Sequence, residues 1–430
     1  MPRKDRDNIE LSKERCFLIG AVIPGRYGEL EDPLSELARL VDTADGEVVG
    51  KTTQKMRHPH PKTYFGEGRF NELADLMISA GADTLVVDDA ISPAQLKALE
   101  DATQRKVIDR SEVILDIFAS HARSHQAQLQ VELAQLQYQL PRLARKWTHL
   151  ERHGGGIGTR GPGETQIETD RRLIRSKISS LKRELEEISK RKIREVSGRN
   201  AFSACLVGYT NAGKSSLLNR ICGSDSWVED RLFATLDTLT RKVHFEEESM
   251  TVLLSDTVGF IRRLPHDLIA SFHATLEEAS QADLLLIVID ASDPIAEVEA
   301  ESVNATLKEL GMTNQKRLYV LNKSDAVLSP DLIKNLKSRF EPSMIVSAKT
   351  GFNVDELLAL LKTHALAERH EVWVSFSAGD GHRFALLNEL GRVHETVYKE
   401  NDVSVRITID PVDLNRISRL PGKMKIKNHS

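Results

Sequence analysis

The stretch F-S-A-C-L-V-G-Y-T-N-A-G-K-S, Phe202 to Ser215, decides how this 430-residue chain is to be read. A short apolar run ends at Gly208-Tyr209-Thr210-Asn211-Ala212-Gly213-Lys214-Ser215, and an amphipathic segment follows. That is G-x-x-x-x-G-K-S in the strand-to-helix setting it requires, so an α/β phosphate-binding loop is expected here. In such a loop the backbone N–H groups wrap phosphate oxygens and the lysine, here Lys214, neutralises the β and γ oxygens. The Ser215 hydroxyl is the expected magnesium ligand. The loop alone does not say which nucleotide is bound.

The base is read further along. After the apolar run Leu318 to Leu321 comes Asn322-Lys323-Ser324-Asp325, which resembles the N-K-x-D guanine motif of GTPases, and Ser347-Ala348-Lys349 follows another short run. A carboxylate at Asp325 accepts hydrogen bonds from guanine N1 and N2, whereas adenine has no such donor pair and leaves the carboxylate unpaired. Between the two motifs the run Met250 to Leu254 leads to Asp256-Thr257-Val258-Gly259. There Asp256 is expected to hold magnesium through water, and the Gly259 amide to sense the γ-phosphate. Upstream, Phe233-Ala234-Thr235-Leu236-Asp237 is the candidate first switch, with Thr235 completing the magnesium shell and Thr238 and Thr240 as fallbacks. Lys214, Thr235 and Gly259 are thus the expected catalytic set. Many GTPases carry a glutamine just after this glycine to orient the attacking water, but Phe260 stands there, so slow intrinsic hydrolysis is expected.

Outward from the loop, toward the N-terminus, the pattern changes period. Leu129, Leu133, Leu136, Leu140, Leu143, Trp147 and Leu150 form a seam of period 3.5, and Ile167, Ile174, Ile178, Leu181, Leu185 and Ile188 form a second, interrupted by Arg171. Two antiparallel helices are expected, the first kinked by Pro141 and about 40 Å long from Gln126 to Arg152. Their tip, residues 153–164, reads H-G-G-G-I-G-T-R-G-P-G-E and holds six of the chain's 25 glycines. A helical hairpin needs only about two to eight linking residues. So much glycine implies a backbone that approaches something closely, with Gly154, Gly155, Gly156, Gly158, Gly161 and Gly163 and the charge of Arg160 as candidate RNA contacts.

Charge supports that assignment. The whole chain has 59 Lys and Arg against 63 Asp and Glu, a net of -4, which argues against nucleic acid on average. From Pro141 to Asn200, however, 16 basic residues face 8 acidic ones, a net of +8, leaving -12 for all the rest. A basic rod with a glycine and arginine tip suits a phosphate-lined cavity, and RNA is the obvious one.

The flanks carry less chemistry. From Arg15 to about Ser120, apolar runs at Cys16 to Ile23, Thr84 to Val87 and Val107 to Ile108 alternate with amphipathic ones at Leu34 to Leu40, Phe70 to Ile78, Leu96 to Leu99 and Ile114 to Phe118, an α/β pattern. His58 and His60 read as a turn rather than a metal site, and Asp88 and Asp89 as a loop mouth facing water. Beyond Leu366, Glu371 to Phe376, a helix around Phe384 to Leu390, and Val403 to Ile409 give a small β, α, β pattern ending in a solvated tail with Lys423, Lys425 and Lys427. Three cysteines, Cys16, Cys205 and Cys222, lie far apart without a C-x-x-C pair, so no disulfide framework or structural zinc is expected. The longest large-aliphatic run, Leu284 to Ile289, is about a third of a membrane span. The expectation is a cytoplasmic, monomeric chain with no membrane insertion.

The order of an N-terminal α/β domain, a hairpin with G-G-x-G-x-R-G-P-G-E at Gly155 to Glu164, and a GTPase with F-A-T-L-D and D-T-V-G-F resembles the HflX family of ribosome-associated GTPases over nearly the whole chain. The resemblance implies an α/β chain in four parts: an N-terminal domain over 1–120, a helical hairpin over 121–198, a Ras-like P-loop GTPase domain over 199–366, and a small α/β domain over 367–430. It implies GTP and GDP as ligands, magnesium as cofactor, and GTP-dependent binding to the large ribosomal subunit and its RNA, with the tip entering near the peptidyl transferase centre and stalled or idle ribosomes being split. In some relatives an asparagine at the place of Asn211 holds potassium, which adds positive charge between the β and γ phosphates. The family often reads F-A-T-L-D-P-T, whereas Thr238-Leu239 follows Asp237 here. Two other functions fit the same residues: an RNA-remodelling factor with a second nucleotide site in the N-terminal domain, although no second P-loop is present, and a GTP-gated module that docks a protein partner through the hairpin.

Overall fold

The computed structural model describes all residues except 1–12, 25–31, 144–161, 198–200, 224–231, 234–238, 249, 264–277, 400 and 429–430. Packing divides the chain into two units, one of residues 1–183 with 231–233 and 263–271, the other of the remainder.

In the first unit, strands β1 (Arg15–Val22), β2 (Glu47–Lys55), β3 (Thr84–Val87) and β4 (Lys106–Asp109) form a parallel sheet in the order β2-β1-β3-β4. β1 and β3 are buried along nearly their whole length, as parallel strands covered on both faces must be. Helices α1 (Ser35–Thr43), α2 (Glu67–Ala80) and α3 (Pro93–Thr103) connect them, and α4 (Arg110–His121) follows β4. Their ends follow from the sequence: Gly81 closes α2 at φ 62°, and Ser92 and Gln95 form a reciprocal cap ahead of Pro93. Phe17, Ile19, Leu73, Met77, Leu85 and Leu99 make the core.

Two expectations change here and one holds. The alternating E-V-V-G-K-T-T-Q-K segment is a strand that the apolar runs did not signal. The His58 and His60 turn is present, with His60 Nδ1 accepting from the Thr63 amide at 3.2 Å. Asp88 and Asp89 do not face water: Asp88 is 1% exposed and accepts from Arg110 Nη1 at 2.8 Å, while Asp89 accepts from the Tyr64 hydroxyl at 2.5 Å. Glu36 pairs with the same Arg110 at 3.1 Å, and Arg263, which packs with this unit, pairs with both aspartates. Burying a carboxylate at a strand end is costly unless it is paired in this way.

Helix α5 (His125–Gln139) is capped by Ser124, whose hydroxyl accepts from the Ala127 amide at 3.1 Å. Its described part ends at Gln139 in a turn over residues 140–142 that holds Pro141, Leu143 is helical again, and the continuation expected to Arg152 lies outside the described residues. Helix α6 (Pro162–Ser197) runs for 36 residues and starts on the proline of the expected tip. Ile174, Ile178, Leu181, Leu185 and Ile188 face inward on it, and Lys177 pairs with Glu132 of α5. Trp147, Leu150 and the tip residues Gly154, Gly155, Gly156, Gly158, Arg160 and Gly161 lie outside the described residues; Gly163 is the second residue of α6.

The second unit holds two sheets. One has the order β10-β9-β8-β5-β7-β6, from β5 (Phe202–Gly208), β6 (Leu239–Phe245), β7 (Met250–Asp256), β8 (Leu284–Asp290), β9 (Lys316–Asn322) and β10 (Ser343–Ile345). All neighbours are parallel except β6 and β7. The chain passes from β5 to one side of the sheet through α7 (Lys214–Ile221) and returns to the other side at β8, so the loop after β5 sits at the topological switch point, where such sheets bind ligands. Helices α8 (Ala296–Glu309), α9 (Pro330–Arg339) and α10 (Val354–Ala367) complete it.

The other sheet is antiparallel, in the order β12-β13-β11-β14, from β11 (His370–Ser377), β12 (Gly391–Lys399), β13 (Asp402–Ile409) and β14 (Met424–Asn428), with α11 (Gly381–Leu390) and α12 (Pro411–Ser418) between them. The expected β, α, β pattern is therefore half of a β, α, β, β, α, β arrangement. The lysine tail is corrected too: Lys425 and Lys427 alternate with Met424 and Ile426 on β14, which pairs with β11. Alternating lysines protect an edge strand from further pairing. Arg383, 1% exposed, pins the turn before this strand by donating to the Leu420 carbonyl at 2.9 Å and to Asp380 at 2.6 Å.

Candidate functional site

The loop between β5 and α7 is built as its glycines require. Gly213 has φ 88°, and a Cβ there would lie 2.3 Å from Asn322 Nδ2, so no other residue fits. Asn211 takes φ 62°, a left-handed conformation that asparagine tolerates well. Lys214 opens α7 and is 5% exposed, and its ammonium donates to the carbonyls of Gly208 at 3.2 Å and Tyr209 at 2.8 Å. Burial lowers its pKa to about 8, against the opposing pull of Asp256 and Glu299. Ser215 Oγ donates to Asp256 Oδ2 at 2.5 Å, with Asp256 itself 0% exposed at the end of β7. Two adjacent oxygen donors of this kind fit a hard cation such as magnesium.

The loop is also paired with the segment after β7. The Thr210 amide donates to the Phe260 carbonyl at 2.7 Å and the Phe260 amide to the Gly208 carbonyl at 3.0 Å. The Tyr209 hydroxyl accepts from the Arg262 amide at 2.8 Å. A Cβ on Gly259 would lie 2.7 Å from Thr210 Cγ2 and 3.1 Å from Lys214 Nζ, so only glycine permits this approach. Val258, the residue before it, is 8% exposed. None of this pairing was visible in the sequence, because G-x-x-x-x-G-K-S and D-T-V-G are 40 residues apart and carry no signal of contact.

At the other end, Asn322 is 1% exposed and bridges two loops. Its Nδ2 donates to the Ala212 carbonyl at 2.9 Å, and its Oδ1 accepts from the Ala348 amide at 3.0 Å. Asp325 Oδ1 accepts from Ser347 Oγ at 2.6 Å, and the Ser324 amide donates to the Val346 carbonyl at 3.2 Å. Lys323 takes φ 59° and pairs with Asp290 at 2.7 Å, while Lys349 is exposed. The structure thus brings together Gly208 through Ser215, Asp256 through Gly259, Asn322 through Asp325 and Ser347 through Lys349.

Two side chains of that set are committed to the fold. Asn322 is one; Thr257 is the other, its hydroxyl donating to the Leu206 carbonyl at 2.8 Å. Of the first switch, Phe233 is described, buried against Phe118 within the first unit, and Ala234, Thr235, Leu236, Asp237 and Thr238 lie outside the described residues. The fallback Thr240 sits in β6 with its hydroxyl 2.8 Å from that of Ser255. Among the described residues no three His, Cys, Asp or Glu side chains cluster as a metal site, and no helix is long and apolar enough to cross a membrane. The cysteines are free, with Cys16 and Cys205 buried.

Comparison with known proteins gives three family matches: "GTP-binding GTPase N-terminal" over residues 31–119, "GTP-binding GTPase Middle Region" over 121–199 and "50S ribosome-binding GTPase" over 203–323. Proteins described as GTPase HflX are similar along most of their length. The one from Lacrimispora saccharolytica is 42% identical over 92% of this chain and 94% of its own. Those from Caldanaerobacter subterraneus and Escherichia coli are 41% and 40% identical, over 94% and 91% of this chain and 92% of each relative.

Proposed function

This chain belongs to the HflX family of GTPases and is a GTP hydrolase, and we propose that its GTP-bound state holds the large ribosomal subunit while hydrolysis releases it. The observation that carries the cycle is the backbone pairing of the phosphate loop with the segment after Asp256: a ligand that rearranges Gly208 to Thr210 cannot leave Phe260 undisturbed. The ribosomal end rests on the match to a 50S ribosome-binding GTPase model over 203–323 and on the +8 surplus between Pro141 and Asn200.

In this proposal Lys214 neutralises the β and γ phosphates, Ser215, Thr235 and, through water, Asp256 hold magnesium, Gly259 senses the γ-phosphate and Asp325 selects guanine. Magnesium supplies charge neutralisation for the departing phosphate. Asn211 is the proposed potassium contact, and equal GTPase rates in potassium and sodium buffers would remove that role. The four-part division at 120, 198 and 366 assigns the hairpin tip, with Arg160 and its glycines, to RNA near the peptidyl transferase centre, where it splits stalled or idle ribosomes in the cytoplasm.

The test is the GTPase rate with and without isolated large subunits, repeated on a chain shortened between Gly154 and Gly163. Stimulation by subunits is expected, with splitting lost in the shortened chain. No stimulation of the full chain would sink the proposal.

A further inference from the structure

The position where many GTPases carry a water-orienting glutamine is Phe260, and its side chain is 3% exposed and apolar. It offers the attacking water neither donor nor acceptor. A polar group at the γ-phosphate must come from another element.

Thr210 has the required properties. It is 5% exposed, and its hydroxyl is buried with no hydrogen-bond partner among the described residues. Buried hydroxyls are nearly always paired, so an orphan in a ligand-binding loop points to a partner that arrives with the ligand. Its place is fixed from two sides. The Thr210 amide holds the Phe260 carbonyl at 2.7 Å, and a Cβ on Gly259 would fall 2.7 Å from Thr210 Cγ2 and 3.1 Å from Lys214 Nζ. The Thr210 methyl therefore lies against Gly259 and near the Lys214 ammonium, and the hydroxyl branches from the same Cβ at that corner. Lys214 here donates to the Gly208 and Tyr209 carbonyls. A phosphate that takes over those hydrogen bonds brings its γ oxygens to the same corner.

We propose that Thr210 is a catalytic residue of GTP hydrolysis, its hydroxyl accepting a hydrogen bond from the attacking water and donating its own hydrogen to a γ-phosphoryl oxygen. A threonine hydroxyl has one donor and two acceptor lone pairs, so both bonds form at once. The phosphate loop then does what the switch glutamine does elsewhere. In the step it assists, the water oxygen bonds to the γ-phosphorus and the bond from that phosphorus to the β–γ bridging oxygen breaks. The electron pair stays on GDP, and the proton released by the water leaves on inorganic phosphate. Thr210 keeps its proton throughout and acts by orientation. The inference rests on the chain being a GTP hydrolase.

A purely structural threonine makes the opposite prediction for an isosteric substitution. Thr210→Val keeps the shape and loses the hydroxyl, while Thr210→Ser keeps the hydroxyl. In the full-length chain, single-turnover GTP hydrolysis by Thr210→Val is expected to slow by about a hundredfold, the usual effect of removing one preorganised polar group. Binding of a fluorescent, non-hydrolysable GTP analogue should weaken by no more than about tenfold, the loss of one hydrogen bond to a γ oxygen, and Thr210→Ser should restore most of the rate. Wild-type turnover by Thr210→Val would overturn the proposal, as would equal slowing in both variants or a loss of analogue binding as large as the loss of rate. A wild-type chain without any turnover would instead remove the hydrolase reading on which the proposal stands.

Discussion

The two ends of the nucleotide site are prepared differently. At the base end, Asn322 joins the Ala212 carbonyl to the Ala348 amide, and Ser347 holds Asp325 at 2.6 Å. At the phosphate end, Lys214 donates to its own loop and Ser215 to Asp256 at 2.5 Å. The groups at the base end, proposed to meet guanine, are held by hydrogen bonds to neighbouring segments. Those at the phosphate end hold one another, and in the proposed function the ligand draws them apart. Preorganised groups recognise at little cost, whereas groups that must rearrange couple binding to a conformational change.

The largest test of this contrast is Asn322→Ala. It leaves the Ala212 carbonyl and Ala348 amide, both buried, without their partner, at a cost of about 1–3 kcal/mol for each. Because Asn322 spans both ends, GTP and guanosine affinities should fall together, by about tenfold or more, with a lowered unfolding midpoint. A loss confined to GTP would mean that the base end is not held by this residue.

A smaller effect separates the ends by pH. Burial places the Lys214 pKa at about 8 in this structure, and a bound phosphate favours the charged form. Below pH 8 the ammonium is already charged; above it, binding must take up a proton. GTP affinity should therefore fall about tenfold per unit as pH rises past 8, a slope set by one linked proton. Guanosine, which lacks the phosphates, should show no such slope. Calorimetry in buffers of different ionisation enthalpy reads the proton directly, and equal slopes for the two ligands would break the comparison.

The same contrast explains what the sequence made legible. The phosphate loop, the guanine motif and the strands that carry them are local patterns, and they stand where period and spacing put them. Pairings between distant segments were not readable: Thr210 to Phe260, Asn322 to Ala212, and the ion pairs that bury Asp88. Each depends on which strands become neighbours, and a side chain that ends in the core looks, in one dimension, like one that faces water. β2 and β14 were missed for a related reason. Their alternation includes Lys, Gln and Thr, so the edges of sheets read as loops or tails.

The finest distinction falls on Ser347. Its hydroxyl donates to Asp325 at 2.6 Å and accepts from the Thr350 amide at 3.1 Å, at a site that is 0% exposed. If the base end is preorganised, Ser347→Ala frees the carboxylate to rotate, and guanine must then pay for fixing it. That costs about 1 kcal/mol, a factor of roughly five in affinity. The loss should be the same for GTP and guanosine and independent of pH between 6 and about 8, because nothing at the phosphate end has changed. An unchanged affinity would show that the Asp325 carboxylate is positioned by the ligand itself, and the base end would then differ from the phosphate end in degree only.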